Sequence, residues 1–532
     1  MKKTLALALL MSSTVFSATG AVSAAEPGWI SISACVPAAP LIPTNTNERC
    51  GSDVLQPILA GLVSVDPKTG KVLMDIATSI ETDDNINWTV TVAKDRVFHD
   101  GTPVTAKSFV DAWNWAAYAP NGQTNNNWFT DIEGYEALSP SKVDGATPEP
   151  TSTEMTGLKL IDDNSFSIKL KAPLPSFISK LTYKAFFPMP EAFFADTMAY
   201  AKKPIGAGPF MFESGSADSG FRLAAFEGYT GPFKPSLKGI EQRIYTNGEA
   251  AYNDLVAGNL DMMRDVPVSK LVGEQWKRDL EDRTLLFPTG ATMALGMPYT
   301  DANKQLLNPE LRQALSMAID REAIIEIIMN GTAVAATGWV PPAADGYVAD
   351  GCGDTCKFNP EKAKELYDAA GGYEGDIKLY YSAESNLKPM MEAVCNSIQN
   401  TLDVTCLPQS LSDNSTFSSL TRSGKIDGVY PANWSLDYPA IDNALIPVYS
   451  INGTSNRGQY ANDAFEKLIE EASYKKQEEA FEIYQQAEKL LAVDLPRVPL
   501  WHPKVAVGYS PRVAEIVLFS NGRPDYTRIS LK

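Results

Sequence analysis

Apolar and polar residues alternate strictly along Asn87-Trp88-Thr89-Val90-Thr91-Val92, a period of two that predicts a half-buried strand. Trp29-Ile30-Ser31-Ile32-Ser33 alternates in the same way, as does Phe166-Ser167-Ile168-Lys169-Leu170 after the turn residues Asp162-Asp163-Asn164-Ser165. Other stretches carry the helical period. Phe109, Ala112, Trp113 and Ala116 follow Thr105 as a candidate N-cap, and Leu311, Ala314, Leu315, Ala318 and Ile319 share one face behind Asn308-Pro309, a cap with proline at the first helical position. A second helix restarts at Asp320 and stops at Asn330-Gly331, and a third runs from Asn359-Pro360 to Gly371-Gly372. Ile377-Lys378-Leu379-Tyr380-Tyr381 then reads as a strand. Two late helices, 464–474 and 477–491, precede Arg497-Val498-Pro499-Leu500-Trp501. Residues 54–63 are apolar enough to be expected as helix, while 118–156, rich in Asn, Gly, Pro, Ser and Thr, is expected as surface loop carrying the rings of Trp128, Phe129 and Tyr135. Recurring helix then strand predicts an α/β protein.

The amino terminus breaks this pattern. Lys2 and Lys3, an apolar run from Leu5 and the small residues Val22-Ser23-Ala24 have the layout of a secretory signal cleaved near Ala24, so export is expected. The formal charge of -18 excludes nucleic acid and anionic lipid as natural partners. His99 and His502 are the only two histidines, which rules out a His-rich metal site and leaves no motif for a Ser-His-Asp nucleophile; both are expected to be structural, and no cofactor is expected. Pro204-Ile205-Gly206-Ala207-Gly208-Pro209-Phe210 is not a phosphate loop, because no Gly-Lys-Ser or Gly-Lys-Thr follows it.

Six cysteines in an exported chain point to three disulfides, and although fifteen pairings are possible, proximity favours Cys35 with Cys50, Cys352 with Cys356, and Cys395 with Cys406. An alternative use of Cys35 is lipidation, since Ile32-Ser33-Ala34-Cys35 is similar to a lipobox. Against it, Glu26, Pro27 and Gly28 separate this cysteine from the apolar run.

The candidate binding chemistry lies in Asn433-Trp434-Ser435-Leu436-Asp437-Tyr438-Pro439-Ala440-Ile441-Asp442-Asn443, where Pro439 opposes a regular helix and one carboxylate sits among rings. Such a group holds a cation best where water is excluded, so Asp437 is the candidate anchor; the alternative is a turn cap before Pro439.

Taken together, DGTPVTAKSFVDAW (100–113), the segment 204–210, NPELRQALSMAIDREAII (308–325) and Leu436-Asp437-Tyr438-Pro439 resemble the family 5 bacterial extracellular solute-binding proteins, the peptide receptors of ABC importers. The resemblance implies a bilobal, periplasmic-binding-protein-like fold of two α/β lobes around a ligand cleft. Residues 25–66, 182–286 and 506–532 would form lobe I, 67–181 a small subdomain inserted in it, and 287–505 lobe II, after a signal peptide at 1–24. It further implies a non-enzymatic, monomeric receptor with a peptide ligand and permease partners. Asp437 would meet the peptide's α-amino group, with Tyr438 beside it. The strand through Ala34 and the backbone of Trp434 and Ser435 would pair with the peptide main chain, and Trp128 would line the pocket. An oligosaccharide stacked on Trp434, Trp128 and Trp501 is the alternative ligand. A hydrolase using Asp437 and Asp442 is the alternative class.

Overall fold

A computed structural model describes residues 25–38, 40–141, 148–385 and 387–532; the expected signal peptide lies outside the described residues. The backbone of the molecule is an eleven-stranded sheet. From one edge its main path runs through Tyr430–Pro431, Ala291–Gly296, Arg497–Tyr509, Met262–Arg264, Trp29–Ala34, Gly239–Ile244, Gly220–Ala225 and Phe210–Ser216. Trp29–Ala34 pairs parallel with Gly239–Ile244 and with Met262, whereas Arg497–Tyr509 pairs antiparallel with all its partners. Arg497–Tyr509, to which the sequence pattern gave no element, is one continuous strand. Its side chains serve two separate cores: Val498, Leu500 and Trp501 enter one, Val505 and Val507 the other.

The core around Trp501 is covered by the helices Pro309–Met317, Arg321–Ile327, Pro360–Ala369, Lys388–Leu402 and Gln477–Asp494. Asn308 and Asn359 cap their helices as expected, accepting from Glu310 N–H at 2.9 Å and Lys362 N–H at 3.0 Å, each cap worth about 1 kcal/mol. Two arginines of the 308–325 motif are wholly structural. Arg312 lies over Tyr299 at 3.6 Å and donates to the carbonyls of Met297 and Leu495, and Arg321 donates to Pro499 O at 2.8 Å and Ser316 O at 3.0 Å. Each guanidinium satisfies buried carbonyls at a chain crossing.

A third core forms between the four-stranded antiparallel sheet Ala77–Thr82, Asn87–Val92, Ser165–Lys169, Leu158–Asp162 and the helix Ala106–Ala117. Trp88, Val90 and Val92 point inward, as their alternation predicts. This packing takes in Phe186, Phe193 and Tyr200 as well. Gly206 and Gly208 press the 204–210 segment against Ile58, where a Cβ would meet the Ile58 carbonyl oxygen at 2.1 and 2.6 Å. His99 locks the same segment. Its Nε2 donates to Gly208 O at 3.0 Å and its Nδ1 accepts from Gly206 N–H, and burial lowers its pKa to about 4, so it is neutral. His502 is also buried and held down at about 4.

One expected helix is not formed. Residues 54–63 contain only the end of Arg49–Leu55 and the beginning of the strand Val63–Val65. Gln56 keeps helical backbone, but Pro57 has no N–H to give the Asp53 carbonyl, which accepts from Gln242 Nε2 at 2.8 Å instead, so the helix ends there and the apolar stretch beyond is a buried turn. In the loop region 118–156, Phe129 and Tyr135 are buried in the third core.

The structure closes Cys35–Cys50, Cys352–Cys356 and Cys395–Cys406, with no free cysteine among the described residues. Thiol titration of denatured, unreduced protein is therefore expected to find no reactive cysteine; two or more would contradict this pairing. Replacing Cys395 and Cys406 together by Ser is expected to cost about 3 kcal/mol, read from denaturant midpoints, because their loop has a sequence separation of 11.

Candidate functional site

Asp437 stands where the cores come together. The loop before it is built as a short ladder. Thr292 pairs with Trp434 and Ala291 with Ser435, Leu436 N–H donates to Gly290 O at 2.8 Å, and Gly290 N–H donates to Ser520 O at 2.6 Å. The Asp437 N–H is taken by Asn443 Oδ1 at 2.8 Å. The following helix, Ile441–Tyr449, starts only after Pro439. Asp437 is solvent-accessible, yet protein surrounds its carboxyl group, and this desolvation raises its pKa; the Asn443 amide and the Lys180 charge pull it partly back. Its carboxylate has no ion-pair partner within 4.0 Å among the described residues.

Opposite it stands a wall that the sequence did not announce. Trp128 stacks on Tyr183 with ring centroids 3.7 Å apart and planes 11° from parallel. Lys180 places its ammonium 5.5 Å above the Trp128 ring and pairs with Asp131. Tyr183 feels both sides of the gap: burial first, then the Asp437 charge, push its phenol up to about 12, while Arg523 pulls it down. Trp128 packs partly against both the Trp501 core and the four-stranded-sheet core, so it sits at their junction. Of these residues only Trp128 was expected in the pocket, on the family resemblance and the aromatic character of loop 118–156. Nothing local in 174–184 marks Lys180 or Tyr183.

Next to the gap the halves of the molecule touch directly. Ser176 and Tyr438 both donate to Asp442 Oδ2, the tyrosine at 2.6 Å, and Asp442 is fully buried. Gln477 donates to Ser179 Oγ at 3.2 Å, and Asn85 to the carbonyls of Ser473 and Lys475 at 3.2 and 2.7 Å.

The other expected site residues are placed as follows. Trp434 is half-buried, with its Nε1 enclosed and without a partner, and Ser435 is exposed. Ala34 is half-buried, and its carbonyl accepts from Tyr245 N–H at 3.0 Å on the Gly239–Ile244 side, while on the other side its strand is paired only at Ile32. Tyr438 is buried with its hydroxyl on Asp442; it braces the loop from behind and does not face the gap. Trp501 is 1% exposed and has no face to offer a sugar ring. Asp442, sealed and already accepting two hydroxyls, cannot act with Asp437 as a carboxylate pair on substrate. Among the described residues no group of His, Cys, Asp and Glu could hold a metal ion. A separate gap of about 660 Å³, lined by Glu322, Glu326 and Lys504, lies on the other edge of Arg497–Tyr509 from the Asp437 loop.

The profile described as bacterial extracellular solute-binding proteins, family 5 Middle, matches residues 71–456. The chain is 26% identical over 461 residues to the periplasmic murein peptide-binding protein MppA of Escherichia coli, covering 84% of this chain and 82% of that protein. It is 28% identical to heme-binding protein A of Haemophilus influenzae, covering 68% and 66%. The solved structure of MppA in its unliganded open form superposes with a TM-score of 0.82 at 21% identity, covering 96% of this chain and 98% of that one.

Proposed function

Because the chain belongs to the family 5 bacterial extracellular solute-binding proteins, we propose that it is a non-enzymatic receptor that captures peptides in the cleft between its lobes and delivers them to the permease of an ABC importer. In this reading it is exported, with residues 1–24 removed, and acts as a monomer. Residues 25–66, 182–286 and 506–532 form lobe I, 67–181 its inserted subdomain and 287–505 lobe II. The separate cores around Trp501 and around Ile30 and Val507, joined by Arg497–Tyr509, support that division.

One observation carries the ligand class: Asp437 presents a solvent-accessible carboxylate with no ion-pair partner, near enough to the Trp128–Tyr183 stack for its charge to act on the Tyr183 phenol. That arrangement suits an α-ammonium entering between aromatic surfaces, where exclusion of water strengthens the pair. Trp434 and Ser435 supply backbone beside it, and the enclosed Trp434 Nε1 is a donor awaiting an acceptor. The names of the relatives, murein peptide for one and haem for another, illustrate that family membership alone does not choose the ligand. The oligosaccharide alternative loses ground with Trp501 buried.

Binding that engages both walls biases the lobes toward closure. Protein unfolded and refolded to remove carried ligand is expected to bind peptides in calorimetry and to show a smaller radius of gyration in X-ray scattering when saturated. Absence of peptide binding sinks the reading, and binding with unchanged scattering sinks the closure.

A further inference from the structure

A cavity of about 100 Å³ lies where the third core meets the core around Ile30 and Val507. Tyr229 reaches it from the first of these cores and Tyr526 from the second, and Phe233 and Phe519 extend the aromatic wall. Neither the Asp437 loop nor the Trp128–Tyr183 stack contributes to it. At roughly 10 to 15 Å³ for each water, a space of this size takes several waters or one compact organic group.

Two buried carboxylates line it. Asp75 is 8% exposed and Asp525 5%. Asp75 Oδ1 accepts from Arg96 Nη2 at 3.1 Å, but its Oδ2 is reached only by the Tyr229 hydroxyl, at 3.4 Å. Asp525 spends Oδ1 on the Thr527 N–H and hydroxyl, at 3.0 and 2.5 Å. Its Oδ2 has no hydrogen bond among the described residues, and Arg528 Nε stands 3.7 Å away. Ser64, a third lining residue, likewise has its Oγ enclosed without a partner. Buried polar atoms are ordinarily satisfied, so three such groups at one cavity point to something that enters it.

The positive charge at hand does not cover these groups. Arg528 gives its two terminal nitrogens to Asp66, at 3.3 and 3.1 Å, and lays its guanidinium 3.7 Å from the Phe233 ring centroid. Asp66, Asp75 and Asp525 therefore share two guanidiniums within 4.0 Å among the described residues, those of Arg96 and Arg528. Burial holds the Asp75 carboxyl up at about 6 against the pull of Arg96, and it raises Asp525 as well. A cation in the cavity offsets that cost. Among the described residues no group of His, Cys, Asp and Glu is arranged to hold a metal ion, and much of the remaining wall is rings and prolines, so the cation that fits is organic. An alkylated ammonium suits such surroundings, because its methyl groups pack on aromatic rings while a carboxylate meets its charge.

We infer that this cavity is a second binding site, apart from the peptide cleft, that takes a small alkylammonium ion between Asp75 and Asp525 and against the rings of Tyr229, Phe233 and Phe519. Its walls belong to two cores, so an occupied site ties them together and stabilises the folded chain by mass action.

The test titrates refolded wild type with methylammonium or tetramethylammonium chloride, sodium chloride keeping the ionic strength constant, and reads binding by calorimetry and by the unfolding temperature. The control for a merely apolar void is tert-butanol, close to tetramethylammonium in size but neutral. At least one of the two ions is expected to bind and to raise the unfolding temperature, with tert-butanol about ten-fold weaker or more. Asp525→Asn, which removes one carboxylate charge, should weaken the ion about ten-fold or more. Ser64→Val, which fills part of the cavity and leaves both carboxylates, should weaken it as well. Should Asp525→Asn unfold early, Ser64→Val and the tert-butanol comparison carry the test. Binding of neither ion overturns the inference, as does equal binding of tert-butanol or binding undiminished in both variants. Binding that is lost in Asp437→Ala places the ion in the peptide cleft and overturns this site while leaving the reading at Asp437 intact.

Discussion

Asp437→Ala is expected to weaken binding of a peptide with a free amino terminus by about 2 to 5 kcal/mol, a loss of roughly thirty-fold to several thousand-fold. The size follows from the site: the carboxylate is partly desolvated and has no partner of its own, so a ligand ammonium that enters without it is stripped of water and left uncompensated. N-acetylating the peptide should cost wild type a similar amount. If both changes remove one interaction, their combined effect falls well short of their sum, and calorimetry on the four combinations supplies the cycle. Additive losses would place the amino terminus elsewhere. The pH dependence has a definite sign. The ligand cation needs Asp437 ionised, and burial raises the pKa of the unliganded carboxyl, so affinity falls as pH drops through a value above the ordinary aspartate range. N-acetylated peptides should not share that decline.

Much of this architecture is legible in the chain because its signals are local. Thr105 accepts the role its position predicts, with Ser108 closing the turn at 3.2 Å, and Asn308 and Asn359 do the same. The alternation of Trp88, Val90 and Val92 needs only its own neighbours to be read. Lys388–Leu402 buries Met391, Val394, Cys395, Ile398 and Leu402 on one face, yet it follows Leu387 with no side-chain cap, so its start is marked by Pro389 and not by a capping residue. The stretch 54–63 misled for the opposite reason. Apolarity reports burial, and what ends the helix is the missing N–H of Pro57, which leaves the Asp53 carbonyl to Gln242.

The site divides along the same line. Asp437 is conspicuous because proline, tyrosine and tryptophan stand within five residues of it. Its opposing wall is assembled from Trp128, Lys180 and Tyr183, brought to the gap by packing of Phe129, Phe177 and Phe186 in a core that has no periodic relation to the Asp437 loop.

Asp442 gives the second large effect, on stability and on the coupling of the lobes. It lies in the first turn of Ile441–Tyr449, where the helix dipole favours an anion, but complete burial dominates and raises its pKa. Ser176, beside Phe177 of the third core, and Tyr438, beside Asp437, both depend on it, while its Oδ1 has no partner. Asp442→Ala strands two buried hydroxyls at about 1 to 3 kcal/mol each, so a loss of roughly 2 to 6 kcal/mol is expected in denaturant unfolding. Asp442→Asn keeps an acceptor oxygen and removes the buried charge, and it should be far milder. The native carboxyl, its pKa raised, binds more protons than the unfolded one between about pH 3.9 and its folded value. Stability from this residue is therefore greatest at low pH and declines as pH rises through that window. Comparing wild type with Asp442→Asn from about pH 4 to 7 isolates the contribution: the difference should move in favour of the Asn variant as pH increases. A difference that stays constant across that range would mean Asp442 titrates alike in both states. Removing Ser176 as well tests whether the link spans the lobes, because Ser176→Ala should enlarge the unliganded radius of gyration only if this contact holds them together.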